Sequence, residues 1–161
     1  MQSKLIEYVD LPKIPINLLD PIETIFEKPD ATNIGPAHRW WHHRVVNDNL
    51  KNFLESIFPF EIVCQYQFIL SHNPVHKDVT RSCVYNYLLD TGGDDIYTSF
   101  YDSFKNGNLL VSEKIPVNTW VKLDVLKFHQ VTGLTKERLR ISVNVVPKSC
   151  LLMPEVYNTL N

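Results

Sequence analysis

The chain has 161 residues, of which 44% are hydrophobic and 21% charged, and its net charge is -2. This length suits one globular domain, and the small net charge excludes the basic surface that nucleic-acid binding usually requires. No apolar stretch approaches the roughly 20 residues of a membrane-spanning helix and the N-terminus carries no secretory signal, so we expect no membrane partner and a cytoplasmic protein, or one of the host cytoplasm if its source is viral.

The three cysteines, Cys64, Cys83 and Cys150, are widely spaced along the chain. Their odd number argues against a disulfide framework, and the absence of a C-x-x-C pair argues against a thiolate zinc site. We therefore expect all three thiols to be reduced and mostly buried.

The first thirty residues contain four prolines and are predicted to be irregular, apart from one short helical turn near Ile22–Glu27. A second helix should begin at a cap formed by Asn47 or Asp48 and stop at Pro59. The apolar residues of this helix recur at helical spacing: Leu50, Phe53, Leu54 and Ile57.

Between these helices, residues 38–44 contain three histidines and two tryptophans. A metal site is the less favoured interpretation, because the adjacent His42 and His43 point apart in regular structure and no carboxylate lies at a suitable interval. Packing of Trp40 or Trp41 against a sheet is favoured, with a wall of the substrate site as the functional alternative.

From Phe60 onward the hydrophobic period changes to two, which is typical of β-strands. In residues 60–70 the even-numbered residues are apolar or cysteine, while Glu61, Gln65 and Gln67 fall on the other face. Further strands are predicted at 83–89, 96–101, 109–115, 120–128 and 139–146. The pattern predicts a mainly β sandwich or jelly roll in one domain, with a lead-in of 1–59, a core of 60–146 and a tail of 147–161.

The triplet His76-Lys77-Asp78 is the most informative motif. Residues i and i+2 of an extended chain project to the same side, so one imidazole and one carboxylate can bind a common metal ion. A second histidine, His129, follows the predicted strand 120–128. Two histidines and one carboxylate form the facial triad of non-haem Fe(II) oxygenases, which leaves coordination positions open. The sequence therefore predicts a catalytic metal site of His76, Asp78 and His129.

A candidate anion-binding residue, Arg140, lies eleven residues after His129. Arg138, Arg140 and Ser142 share one face of their predicted strand. A guanidinium offers a planar fork to a carboxylate, and a neighbouring hydroxyl adds another hydrogen bond. Either arginine fits this role, and the spacing from His129 together with the adjacent Ser142 favours Arg140. Both could instead be solvated charges on an edge strand.

The order of H-x-D, distal histidine and arginine resembles the Fe(II)- and 2-oxoglutarate-dependent oxygenases over residues 60–146, roughly half of the chain. The sequences from His76 to Leu89 and from His129 to Val143 carry the resemblance. They look nearest to the short prolyl or aspartyl/asparaginyl hydroxylase-like proteins of bacteria and phages. The resemblance implies a double-stranded β-helix, a cupin-like jelly roll preceded by a short helical region.

The resemblance also implies cofactors and a reaction. Fe(II) would be bound by the predicted triad, 2-oxoglutarate would be the cosubstrate and O2 the oxidant. Arg140 and Ser142 would hold the distal carboxylate of 2-oxoglutarate, with Arg138 as the alternative and with Asn86 or Tyr85 as a further contact. The reaction would be hydroxylation of a small molecule or of an amino-acid side chain, free or in a peptide.

Two other functions stay open. A cupin-like metalloenzyme of the same shape would use no oxo acid, but such sites usually contain more histidines and would leave Arg140 without a role. A non-catalytic jelly roll, either a binding module or a viral structural protein, would make the H-x-D triplet incidental. The segment with Asp94, Asp95, Thr98 and Tyr101 fits a lid or rim near the metal or, as we slightly favour, an ordinary hairpin connection.

Overall fold

The computed structural model describes residues 4–27, 40–71 and 73–160. The α-helices of these ranges are α1 (Ile22–Glu27) and α2 (Asp48–Ile57), and short 3-10 helices span Ile16–Leu18, Lys148–Cys150 and Pro154–Leu160. The strands are β1 (Ile6–Val9), β2 (Trp40–Arg44), β3 (Ile62–Ser71), β4 (Cys83–Asp90), β5 (Tyr97–Tyr101), β6 (Leu109–Glu113), β7 (Trp120–Asp124), β8 (Phe128–Thr132) and β9 (Thr135–Pro147). The expected mainly β class is confirmed.

The strands form two antiparallel sheets. The large sheet has the order β1-β7-β4-β9-β3-β2, and the small sheet has the order β6-β5-β8. Phe100 of β5 shares one apolar cluster with Val84, Val121 and Val146 of the large sheet, so the two sheets pack face to face. This arrangement is the jelly roll expected from the strand pattern.

The large sheet is buried on both faces. On its outer face, Tyr66 and Phe68 of β3 pack in one cluster with Leu50 and Leu54 of α2. On its inner face, Val63 of β3 joins the cluster that the two sheets share. The buried Gln65 alternates with Tyr66 and therefore also lies on the inner face. Polar side chains thus lie in the space between the sheets, where burial is costly unless they have partners.

The predicted strand 120–128 is wrong as a single element. The chain forms β7, turns at residues 125–127 and continues as β8 in the other sheet. The turn is closed by a hydrogen bond from Lys127 N to Asp124 O at 3.2 Å. Strands β1 and β2 were not predicted, although they form the two edges of the large sheet. No helix among the described residues is long and apolar enough to cross a bilayer.

Helix α2 begins where the sequence predicts. Asn47 is its N-cap, and the side-chain Oδ1 accepts a hydrogen bond from Asn49 N at 2.9 Å. The Nδ2 of the same side chain donates to Leu18 O at 2.8 Å. Asn47 therefore fixes both the start of α2 and its position against the preceding segment.

The substitution Asn47→Ala is expected to lower the free energy of unfolding by about 1 kcal/mol or more, because it removes a helix cap and a second hydrogen bond. Equilibrium unfolding in urea measures this change. The matched control is Asn52→Ala, which removes an exposed asparagine from the same helix and should change stability by less than about 0.5 kcal/mol. Equal effects of the two substitutions would contradict the capping role.

Candidate metal centre

The loop that carries the H-x-D triplet is fixed to β8 by main-chain hydrogen bonds. His76 N donates to His129 O at 3.0 Å, and His129 N donates to His76 O at 2.7 Å. Asp78 N donates to Val125 O at 2.8 Å, in the turn before β8. These bonds bring together residues that are 53 positions apart for His76 and His129 and 47 positions apart for Asp78 and Val125.

The three predicted metal ligands converge in the structure. His76, Asp78 and His129 each offer one ligand atom, and these atoms lie within 4.8 Å of one another. Asp78 Oδ1 is 3.7 Å from His76 Nε2 and 3.5 Å from His129 Nε2. One divalent ion can therefore contact all three side chains.

Both imidazoles are oriented by backbone carbonyl groups. His76 Nδ1 lies 2.8 Å from Pro74 O, and His129 Nδ1 lies 2.8 Å from Lys127 O. A carbonyl oxygen only accepts hydrogen bonds, so each Nδ1 carries the proton and each Nε2 keeps a free lone pair toward Asp78. This is the tautomer that metal coordination through Nε2 requires.

The protonation of the centre also suits a metal ion. Burial by itself would raise the pKa of Asp78, but the nearby Arg81 and His129 outweigh it and lower that pKa. Arg81 Nε donates to Asp78 Oδ2 at 2.7 Å, which leaves Oδ1 for a metal. Burial lowers the pKa of His129, which favours the neutral form of its ring. Two imidazole nitrogens and one carboxylate oxygen form a donor set that fits Fe(II).

Arg140 and Arg138 lie in different surroundings. Arg140 is buried, with Nη2 donating to Thr98 Oγ1 at 3.0 Å, and burial lowers its pKa to about 10. No carboxylate of the described residues pairs with it. Arg138 is half exposed, and its Nε and Nη2 contact Asp90 Oδ1 at 2.9 and 2.8 Å. Arg140 therefore has the environment of a buried anion-binding group, whereas Arg138 forms a surface ion pair.

The other residues predicted to contact 2-oxoglutarate lie on different faces of the large sheet. Ser142 is buried and donates to Asn144 Oδ1 at 3.0 Å, and Asn86 lies opposite Asn144 in the pairing of β4 with β9. Asn86 Oδ1 and Asn144 Nδ2 are buried without a hydrogen-bond partner among the described residues. Tyr85 lies on the outer face against Phe58, with the ring centroids 5.1 Å apart. The structure thus brings Asn86, but not Tyr85, to the interior that contains Ser142.

A cavity of about 170 Å³ adjoins the metal centre and contains residues that the sequence did not assign to the site. Its wall includes Trp40, His42, Gln67, Arg81 and Tyr157, together with His76 and Asp78. Burial lowers the pKa of His42 to about 3, so this ring is uncharged. The alternation of side chains along β2 is the signal that would have placed Trp40 and His42 on one face.

The favoured interpretation of residues 38–44, packing of a tryptophan against the sheet, is confirmed for Trp41. Trp40 lines the cavity, whereas Trp41 stacks on Phe68 on the outer face with ring centroids 5.3 Å apart. His42 Nε2 lies 3.3 Å from Gln67 Nε2, whereas His43 Nδ1 contacts the carbonyl oxygen of Arg44. His38 and Arg39 lie outside the described residues.

The segment after Gly93 joins β4 of the large sheet to β5 of the small sheet, so it is not the hairpin connection that was slightly favoured. Asp94 and Asp95 are exposed, and Asp95 pairs with Lys114 at 2.7 Å. Thr98 is buried and contacts Arg140. Within this segment, Thr98 therefore connects to the interior, whereas the two aspartates lie at the surface.

No family model and no curated protein matches the sequence. Among solved structures, a prolyl hydroxylase from Trichoplax adhaerens, in complex with a hypoxia inducible factor oxygen degradation domain peptide fragment, is similar with a TM-score of 0.50 and 11% identity, over 83% of this chain and 72% of that chain. The two proteins share a fold. A 2OG-Fe(II) oxygenase family oxidoreductase from Burkholderia pseudomallei has a TM-score of 0.49 and 14% identity, over 70% of this chain and 69% of that chain. The fold implied by the sequence resemblance is confirmed.

The substitution Asp78→Asn is expected to abolish binding of Mn(II), because it removes the charged ligand. Binding is measured by the decrease of the free-ion EPR signal when protein is added, and this decrease should be absent in the variant. In the metal-free protein it should also lower the free energy of unfolding by about 3 kcal/mol, since Arg81 loses its buried counter-ion. The control Asp10→Asn removes an exposed carboxylate and should change neither property. Undiminished Mn(II) binding by Asp78→Asn would rule out the proposed centre.

The comparison of wild type with Asp78→Asn also predicts how stability depends on pH. A carboxyl group whose pKa is lowered in the folded state contributes stability above its unfolded-state pKa and loses it as the pH falls. The difference in unfolding free energy between metal-free wild type and Asp78→Asn should therefore be constant near pH 7. It should shrink below pH 3.8, the ordinary pKa of an aspartic acid. Urea unfolding at a series of pH values tests this. A difference that widens under acid would contradict the assigned ion pair.

Proposed function

We propose that this protein is an Fe(II)- and 2-oxoglutarate-dependent oxygenase that hydroxylates a small molecule or an amino-acid side chain. The observation that carries the proposal is a buried guanidinium, that of Arg140, which has no acidic partner among the described residues and lies in the same interior as the His-Asp-His cluster. His129 lies opposite Phe100 in the small sheet, with ring centroids 5.5 Å apart. Thr98 lies two residues before Phe100, hence on the same face, and its hydroxyl contacts Arg140.

The charge on Arg140 is the main electrostatic argument. A buried cation without a counter-ion is costly, and the pKa of Arg140, lowered by burial, reflects this cost. A ligand carboxylate would remove the penalty and would gain charge-assisted hydrogen bonds. A 2-oxo dicarboxylate suits these two features, because one end can complete the metal coordination while the other end meets the guanidinium.

The protein residues would divide the work as follows. His76, Asp78 and His129 would hold Fe(II), and Arg140 with Ser142 would orient the distal carboxylate. The buried Ile69, Ile96, Val131 and Leu134 form an apolar cluster that would exclude water from this side of the interior. When bound, Fe(II) and 2-oxoglutarate supply an oxidative decarboxylation that activates O2 for insertion of oxygen into a C–H bond.

The substrate is proposed only by class. The Trichoplax adhaerens neighbour was solved with a peptide fragment, which supports a peptide side chain as one candidate. A free small molecule is the other candidate.

The proposal is tested by anaerobic titration of the Fe(II)-loaded protein with 2-oxoglutarate, in which chelation produces a weak visible charge-transfer band. Arg140→Ala should raise the apparent Kd by about tenfold or more, because a hydrogen bond to a charged group contributes about 1.5–3 kcal/mol. Arg138→Ala is the matched control from the same strand and should bind 2-oxoglutarate like wild type. His129→Ala should abolish the band.

Each other outcome has a clear meaning. Weaker binding in Arg138→Ala with unchanged binding in Arg140→Ala would move the anchor to Arg138. Metal uptake without any binding of 2-oxoglutarate would favour a cupin-like metalloenzyme. Absence of uptake of Fe(II), Mn(II) and Ni(II) would favour a non-catalytic jelly roll.

The side-chain oxygen of Asn86, which has no hydrogen-bond partner among the described residues, allows a separate prediction. Replacing a buried polar group that lacks a partner with an apolar group of similar size removes a desolvation cost. The substitution Asn86→Leu should therefore stabilise the protein without cosubstrate by about 1 kcal/mol in urea unfolding and, in the titration above, weaken binding of 2-oxoglutarate. A destabilised variant with unchanged 2-oxoglutarate affinity would show that Asn86 serves the fold and not the ligand.

A further inference from the structure

The cavity beside the metal centre is small and directly continuous with it, since His76 and Asp78 are part of its wall. Its volume of about 170 Å³ is comparable with the cavity of about 150 Å³ that binds benzene in an engineered protein interior. Drug-sized ligands usually occupy about 300–1,000 Å³. The space therefore suits one small group, such as a single side chain or a small organic acid.

Arg81 supplies this cavity with an unused hydrogen-bond donor. The residue is 5% exposed and lines the cavity, and its Nε is bonded to Asp78. Its Nη1 is buried and has no hydrogen-bond partner in the described part of the chain. A guanidinium has five N–H groups, so the positioning of Asp78 accounts for only one of them. A buried donor left unsatisfied costs free energy, which a ligand acceptor would recover.

The charges around the cavity favour an anion. Lys77 also lines it, but its ammonium group lies 5.5 Å from the ring centroid of Phe128, which is not part of the wall, so Arg81 is the cation that we assign to the cavity. Asp78 is the sole acidic residue of the described cavity wall, and it already pairs with Arg81. His42 is kept uncharged by burial. A bound dication would add further positive charge.

The rest of the wall suits a carbon skeleton with few polar atoms. Trp40 offers an aromatic surface, and the hydroxyl of Tyr157 is already close to Thr80 Oγ1, at 3.2 Å. The unsatisfied hydrogen-bonding capacity of the described cavity wall therefore lies mainly at Arg81. A planar guanidinium fork matches a planar carboxylate.

We propose that this cavity binds the substrate through a carboxylate, which accepts hydrogen bonds from Arg81. The carboxylate belongs either to a free acid or to an acidic side chain of a peptide. As an assignment of substrate class, this rests on the proposed function, whereas the carboxylate site itself can be tested without turnover. It is distinct from the distal-carboxylate role proposed for Arg140.

The test uses the Mn(II)-loaded protein, with and without saturating 2-oxoglutarate, in calorimetric titrations with benzoate and with benzamide. The two probes have the same shape and differ in charge. Benzoate should bind at least about tenfold more tightly than benzamide under both conditions. Arg81→Lys should weaken benzoate binding, whereas Lys105→Met, which removes an exposed lysine outside the cavity wall, should leave it unchanged.

The two sources of carboxylate are separated by a second pair of probes, the blocked tripeptides Gly-Glu-Gly and Gly-Gln-Gly. A preference for the glutamate peptide that exceeds the preference for benzoate supports a peptide substrate. A preference confined to benzoate supports a free acid.

Equal affinity for benzoate and benzamide in wild type would overturn the proposal, and this comparison does not depend on the folding of any variant. Displacement of benzoate by 2-oxoglutarate would also overturn it, because the cavity would then belong to the cosubstrate. If 2-oxoglutarate fails to bind while the benzoate preference and its dependence on Arg81 persist, the oxygenase is rejected and the carboxylate site is supported.

Discussion

The two main-chain hydrogen bonds between His76 and His129 are the contact on which the candidate centre depends. They join a loop without regular structure to the edge strand β8 of the small sheet. The hydrogen bond from Val131 N to Asn73 Oδ1 at 3.0 Å adds a side-chain contact at the start of the same loop. Because these bonds set the distance between the loop and the strand, they also set the distance between the imidazoles.

The inner face of the large sheet explains why the jelly roll can hold a polar site. Gln65, Ser142 and Asn144 are buried there, although such residues weaken a core unless they are fully hydrogen-bonded. Asn86 Oδ1 and Asn144 Nδ2 have no hydrogen-bond partner within the ranges that the structure describes, so hydrogen bonding on this face is incomplete there. The apolar outer face under α2, with Tyr66 and Phe68, supplies compensating burial. The outer face is thus mainly apolar, whereas the inner face combines an apolar cluster with buried polar side chains.

The sequence predicted those features that depend on short-range chemistry. The cap of α2, predicted at Asn47 or Asp48, the end of α2 before Pro59 and the i, i+2 geometry of His76 and Asp78 are all local. The different surroundings of Arg138 and Arg140 could not be predicted, because both residues share one face of the predicted strand. Only the pairing of Arg140 with Ile69 places Arg140 in the buried part of the sheet.

The other departures also have physical causes. The strand prediction ran through residues 125–127 because Val121, Leu123 and Val125 keep the alternation of a strand and no glycine or proline marks the turn. Arg81 belongs to no recognisable pattern, and its role follows only from the contact with Asp78. Strand β1 is four residues long at a sheet edge, with Tyr8 half exposed, so its hydrophobic pattern is weak.

The orientation of both imidazoles by the carbonyls of Pro74 and Lys127 has an evolutionary consequence. A main-chain acceptor is supplied by every amino acid, so neither histidine depends on a particular neighbouring side chain for its tautomer. Codon changes at positions 74 and 127 can therefore accumulate without turning the rings, as long as the local backbone path is retained. The ligand geometry is encoded in the course of the polypeptide, and this leaves divergent sequences free to keep the same centre.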